Sequence, residues 1–283
     1  MPRRAVLALL GAGAGVALLA LTWFLAFHVG VFERADQSVF LDFGGFSRRP
    51  HVDAIATFIA HLCNPQPYVY LAAAPVVVAL ARRRGWLATA ICAILLGANI
   101  TTHLLKPLLA HPRASSLLGG VMPVAPASWP SGHATAVMSL TLCCVLAAPA
   151  RMRPRVAAAG AAFTVAVCYS FLTLGWHYPS DVFGGFLVAA TWTLLGVVAV
   201  LVVGGRPAPS AVQDSARLSL REALAPPGLA LLAALALGVV VLLARPHEIV
   251  IYAHLHHVFV AAAAAIAAVA LALATGLTLA LRR

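Results

Sequence analysis

Three short stretches place titratable side chains inside otherwise apolar sequence: "HLLKPLLAHPRA" (103–114), "WPSGHAT" (129–135) and "GWHYPSDV" (175–182). They carry Lys106, Arg113, Ser131, His133, His177 and Asp181, and Lys106 is the only lysine in the protein. A lysine and an arginine suit an anion, and so do the backbone N–H groups that Ser131 and Gly132 present behind Pro130 at a helix start. Pro179 and Ser180 would open a second helix in a similar way. His177 can attack phosphorus if a carboxylate fixes its tautomer through the other ring nitrogen, and Asp181 is spaced to do that. His133 can protonate a departing alkoxide. The shared chemistry is that of a phosphate site.

The elements that must position these residues are membrane helices. The chain has 283 residues, 62% hydrophobic and 10% charged, against roughly 25% charged for a soluble domain. A bilayer core of about 30 Å needs ~20 apolar residues per helix. Spans are expected near 5–27, 67–81, 86–105, 133–150, 156–175, 182–204, 227–244 and 257–280, about eight in all, with 67–81 short. With both termini cytoplasmic, thirteen of the nineteen basic residues fall inside: Arg3, Arg4, Arg82–Arg84, Arg151, Arg153, Arg155, Arg206, Arg217, Arg221, Arg282 and Arg283. Arg34, Arg48, Arg49, Lys106, Arg113 and Arg245 fall outside. This positive-inside bias explains the net charge of +11 as topology and argues against a nucleic-acid partner. On that topology all three polar junctions face outward.

The opening run after Arg3 and Arg4 reaches about residue 27, longer than a signal h-region, so a retained first helix is expected. The five cysteines suit apolar packing better than disulfides or metal. In the external segment 28–66, "HVDAIATFIAHL" (51–62) is amphipathic and too short to span, which suits the membrane interface. Residues 206–226 are polar and proline-marked, and separate a six-helix core (1–205) from a C-terminal hairpin (227–283). The fold expected is an all-α polytopic membrane bundle. The hairpin's outer loop, 245–259, holds His247, Glu248, His254, His256 and His257. A polar interfacial loop is the expectation there. A zinc site, a lid, a headgroup contact and a docking surface for another membrane protein are the alternatives.

The three stretches resemble the motifs of the type 2 phosphatidic acid phosphatase superfamily of membrane lipid phosphatases. The first, Lys, six residues, Arg-Pro, reads Lys106 to Arg113 with Ala114 in place of proline. The second, Pro-Ser-Gly-His, is intact at 130–133, and the third reads Ser170, Phe171, "LTLGW", His177, "YPS", Asp181. The resemblance covers about residues 1–205. It implies a six-helix core with an outward-facing site and a phosphohistidine on His177, oriented by Asp181, with His133 as general acid. Lys106, Arg113, Ser131 and Gly132 would bind phosphate oxygens, and these donors make a metal or other cofactor unnecessary.

One position departs from the family. The residue six before the nucleophilic histidine is an arginine there and Phe171 here. Losing such a donor typically costs ~3–4 kcal/mol, or ~10²–10³ in rate. Arg34, Arg48, Arg49, Arg245 or a protonated His111 would have to substitute, or Phe171 would face a lipid tail or the helix packing. The expected activity is hydrolysis of a phosphomonoester or pyrophosphate on a lipid at the outer leaflet of the cell membrane. Polyprenyl (pyro)phosphate, phosphatidylglycerol phosphate and phosphatidate are the candidates. An Ala-rich, Arg-over-Lys composition suggests a high-GC bacterium and favours the polyprenyl carrier of envelope synthesis. The rival readings are a lipid-phosphate binder or assembly partner without turnover, a phosphotransferase using the same histidine, and a transporter. Clustering at one membrane face speaks against the last.

Overall fold

A computed structural model describes residues 1–112, 124–203 and 219–282. All regular structure among them is helical: α1 (Arg3–His28), α2 (Gly30–Ser47), α3 (Val52–His61), α4 (Pro65–Ala81), α5 (Gly85–Leu108), α6 (Gly132–Ala147), α7 (Arg153–Thr173), α8 (Pro179–Val203), α9 (Leu220–Ala244), α10 (Pro246–Leu255) and α11 (His257–Ala280), with two short 3₁₀ turns. Among the described residues seven helices have the length and apolar composition to cross a membrane. Helix α4, expected as an eighth span, is not among the seven, because it has only 17 residues. It reaches only about 26 Å at ~1.5 Å per residue, so it would need local thinning of the bilayer.

Segment 28–66 contains more structure than its sequence announced. The short amphipathic stretch is α3, but it is preceded by an 18-residue helix, α2, that buries Asp36, Gln37, Val39, Phe40 and Phe43. The C-terminal part differs at its borders too. Residues 220–226, expected in the linker, are the first turns of α9, started by a capping box. Ser219 N–H donates to Glu222 Oε2 at 2.8 Å and Glu222 N–H to Ser219 Oγ at 3.1 Å. The rest of the linker lies outside the described residues. Residues 246–255, expected as loop, form α10.

Helix α6 is the buried centre, packed against α5, α7 and α8. Helix α1 lies along α8, and α11 packs on α7. Ile266, Ala270, Ala274 and Leu277 of α11 join the same apolar core as Val137, Phe171 and Phe186. Hydrogen bonds between helices add register where apolar packing alone would let them slide. Thr102 and Thr135 are 3.0 Å apart across α5 and α6, Thr141 and Thr164 2.9 Å across α6 and α7, and Trp192 Nε1–H donates to Thr101 at 3.0 Å across α8 and α5. By contrast, α9 turns a row of leucines outward, including Leu229, Leu232, Leu235 and Leu243.

The N-terminal ends of α6 and α8 approach closely. A Cβ on Gly185 would lie 2.8 Å from Ser131 O and 2.8 Å from Thr135 N, so only glycine lets the two backbones meet. Gly185→Ala is therefore expected to cost about 1–3 kcal/mol of stability through forced backbone separation. A lowered Tm in detergent would register it, with Gly13→Ala, whose Cβ meets open space, as the silent control.

Candidate active site

The chain reaches the site from α7 through a helix stop built on Gly175. Gly175 has φ of 69° and follows the C-cap Leu174. Its N–H donates to Leu172 O, and Trp176 N–H donates to Phe171 O, both at 3.0 Å. This Schellman arrangement needs the left-handed residue that glycine supplies without a Cβ clash. Two residues later His177 sits buried, and Pro179 opens α8 at its first position.

His177 Nδ1 lies 3.2 Å from Asp181 Oδ2, which also accepts Tyr178 N–H at 3.0 Å. A carboxylate on Nδ1–H leaves the lone pair of Nε2 for chemistry. Asp181 is fully buried and does a second job through its backbone, since its carbonyl accepts Ser131 N–H at 2.9 Å. That bond locks the start of α8 to the start of α6.

This arrangement changes two of the sequence assignments. Pro130 was expected as the first helical residue of α6, but the helix begins at Gly132 and Ser131 is its N-cap, accepting Ala134 N–H at 3.3 Å. Ser131 N–H is thus committed to Asp181, and its Oγ to the cap. The N–H groups left for an anion are those of Gly132 and His133 in the first turn, which have no intrahelical acceptor. The second anion seat, the start of α8, is filled by the protein itself. Asp36 of α2 accepts Ser180 N–H at 3.0 Å through Oδ1 and the Ser180 hydroxyl through Oδ2. A carboxylate suits that helix end for the reason a phosphate would.

Lys106 reaches the remaining anion seat. Its Nζ lies 3.8 Å from where a Cβ of Gly132 would stand, so the last turn of α5 delivers the ammonium to the start of α6. The His133 and His177 rings are 6.3 Å apart, centre to centre. Arg113 lies outside the described residues. Lys106, Gly132, His133, His177 and Asp181 are thus brought together, and Ser131 supports them from beneath.

Phe171 is fully buried and stands against both imidazoles, at 5.3 Å from His177 and 5.8 Å from His133. It is part of the apolar core inside the bundle. Of the arginines considered as substitutes, Arg245 pairs with Glu248 at 3.2 Å, Arg49 lies over Phe46, and Arg34 and Arg48 are exposed. His111 packs against Phe27 and His28.

Two site residues carried no motif. Asn64, the N-cap position of α4, places Oδ1 3.0 Å from His133 Nε2. An amide oxygen only accepts, so this contact holds the proton on Nε2. Asp36 is the other. The first stands in the helix-breaking stretch "NPQP" (64–67), and nothing local marks the second. Neighbouring Cys63 is no rival nucleophile, because burial pushes its thiol up to about 12. In the C-terminal loop His256 Nδ1–H donates to Asp42 of α2 at 2.6 Å, and His257 Nδ1 lies 3.2 Å from the His254 carbonyl. Among the described residues no group of three His, Cys, Asp or Glu is arranged to hold a metal.

Fold and site together define a multi-pass helical bundle of membrane-spanning character in which a lysine and a helix start lie beside a histidine–aspartate pair. Residues 87–204 match the family model of the PAP2 superfamily, which supports a phosphatase-type function. No curated protein and no solved structure matches the chain. The matched region holds every motif residue named above but neither Asn64 nor Asp36, which come from elements N-terminal to it.

Removing the Asn64 amide frees the His133 ring without touching the motifs. Asn64→Ala is expected to lower phosphate release by up to about a hundredfold, the typical result of ~1 Å misplacement of a catalytic group. Unchanged Tm beside lowered kcat is the outcome to look for.

Proposed function

We propose that the protein is a lipid phosphate phosphatase working through a phosphohistidine. The observation that carries this reading is the meeting of Lys106 and the start of α6 with a buried His177–Asp181 pair and a second imidazole. In the first step the Nε2 lone pair of His177 attacks phosphorus, and the bond from phosphorus to the lipid oxygen breaks. The leaving oxygen takes a proton from His133. Lys106, the N–H groups of Gly132 and His133, and Arg113 balance the charge on the phosphoryl oxygens. In the second step water, deprotonated by His133, attacks the same phosphorus, the P–N bond breaks and phosphate leaves. An acceptor hydroxyl in place of water would make the same site a phosphotransferase.

The substrate is a phosphomonoester or pyrophosphate on a lipid: a polyprenyl (pyro)phosphate, phosphatidylglycerol phosphate or phosphatidate. The excess of arginine at the opposite helix ends supports an outward-facing site in the cell membrane with both termini cytoplasmic. One observation favours a second reading, binding without turnover. Phe171 stands against both imidazoles at the position where the family has an arginine.

Phosphate release by the purified protein on the three lipids decides between them. Turnover is expected, unaffected by EDTA, abolished in His177→Ala and reduced about 10²–10⁴-fold in His133→Ala. A silent wild type, with activity appearing in Phe171→Arg, would replace the first reading by the second.

A further inference from the structure

The three helices whose site ends carry Asn64, Lys106 and His133 meet again one to two turns further into the bundle. There Tyr68 of α4 places its hydroxyl 3.4 Å from Ser139 Oγ of α6 and 3.4 Å from Asn99 Nδ2 of α5. At ~1.5 Å rise per residue, Tyr68 lies about 6 Å along its helix from Asn64, Ser139 about 9 Å from His133 and Asn99 about 10 Å from Lys106. A polar layer built from three helices thus underlies the phosphate site. Polar side chains within apolar helices of this kind are expensive and usually serve a function.

The hydrogen bonds of this layer do not close. Ser139 gives its proton to Ala136 O at 3.0 Å, and Asn99 Nδ2 donates to Leu95 O at 2.7 Å as well as to Tyr68. The Tyr68 proton is left with Ser139 Oγ at 3.4 Å, longer than the ~2.5–3.0 Å of an ordinary O–H···O bond. Asn99 Oδ1 accepts no hydrogen bond among the described residues. A contact whose only task was to hold helices together would use both ends of the amide. The layer also borders the outside of the bundle. Tyr68 and Asn99 are half-buried, and Val69, Tyr70, Leu96 and Ile100 beside them are exposed.

We propose that Tyr68 and Asn99 form a subsite that reads the substrate lipid just beyond its phosphate, with the Tyr68 hydroxyl donating to an ester carbonyl. This rests on the lipid-phosphate reading of the site and narrows the substrate to an acylated glycerol phosphate. In such a lipid the ester carbonyls follow the phosphate by a few bonds, and they need a donor when they leave water. A polyprenyl chain offers only hydrocarbon at that level and would leave the protein's own polar groups unpaired. Tyr68 lies outside residues 87–204, so no motif of the matched region carries this preference.

The test measures the affinity of the full chain in detergent for three lipids: a diacylglycerol phosphate, its dialkyl ether analogue of the same chain length, and a polyprenyl phosphate. Phosphate release is followed in the same samples. Wild type is expected to bind the ester about tenfold more tightly than the ether, and polyprenyl phosphate no better than the ether. Tyr68→Phe is expected to bind both glycerol lipids at the wild-type ether level, whereas Tyr70→Phe, on the exposed side of the same helix, keeps the preference. Equal affinity of wild type for ester and ether overturns the proposal, whether or not the variants fold. So does tighter binding of polyprenyl phosphate, or a Tyr68→Phe that loses both glycerol lipids equally, the mark of a merely structural tyrosine. Ester preference without phosphate release leaves the subsite standing and sinks the phosphatase reading, and release without ester preference does the reverse.

Discussion

The bond from Ser131 N–H to the Asp181 carbonyl sets the distance between the two halves of the site. It is a backbone contact at 2.9 Å, made possible because Gly184 and Gly185 remove the side chains that would hold α8 away from α6. One end of it is the N-cap of the helix whose first turn faces Lys106. The other end is the residue that orients His177. The start of α6 and the His177–Asp181 pair are therefore parts of one joint, and a shift in one is a shift in both.

Helix α2 braces that joint from outside the matched region. Asp36 caps α8 at Ser180, one residue from Asp181, and Asp42 holds His256 at the break between α10 and α11. Phe43 packs on Tyr169 and Phe259. The C-terminal helices thus touch the site end through α2 as well as through α7. Asn64 plays the corresponding part for His133 from the start of α4. Burial makes these polar contacts matter, because an unsatisfied partner at such depth would cost about 1–3 kcal/mol.

Much of this was legible in the sequence, and the reason is the bilayer. Apolar runs of fixed length report membrane helices directly, and the few polar residues that interrupt them stand out against that background. Lys106, Gly132, His133, His177 and Asp181 were found in that way. Helix α2 was not, because a helix lying among polar loops has neither the length rule nor a strong periodicity to announce it. Ser131 and the start of α8 were assigned to an anion because a free helix end attracts one. Whether an end is free depends on what the rest of the chain brings to it.

That is where the division falls. Residue types and spacing by themselves determined the all-α membrane class, most of the spans and which polar residues to look at, because these follow from hydropathy and from motifs within about a dozen residues. Tertiary structure alone decided which donors are already taken. Asp36 reaches Ser180 across 144 residues and Asn64 reaches His133 across 69. Phe171 came to stand against both imidazoles through packing that no local pattern encodes. Hydrogen bonds saturate, so a donor's availability is a property of the folded chain, whereas its chemical identity is a property of the sequence.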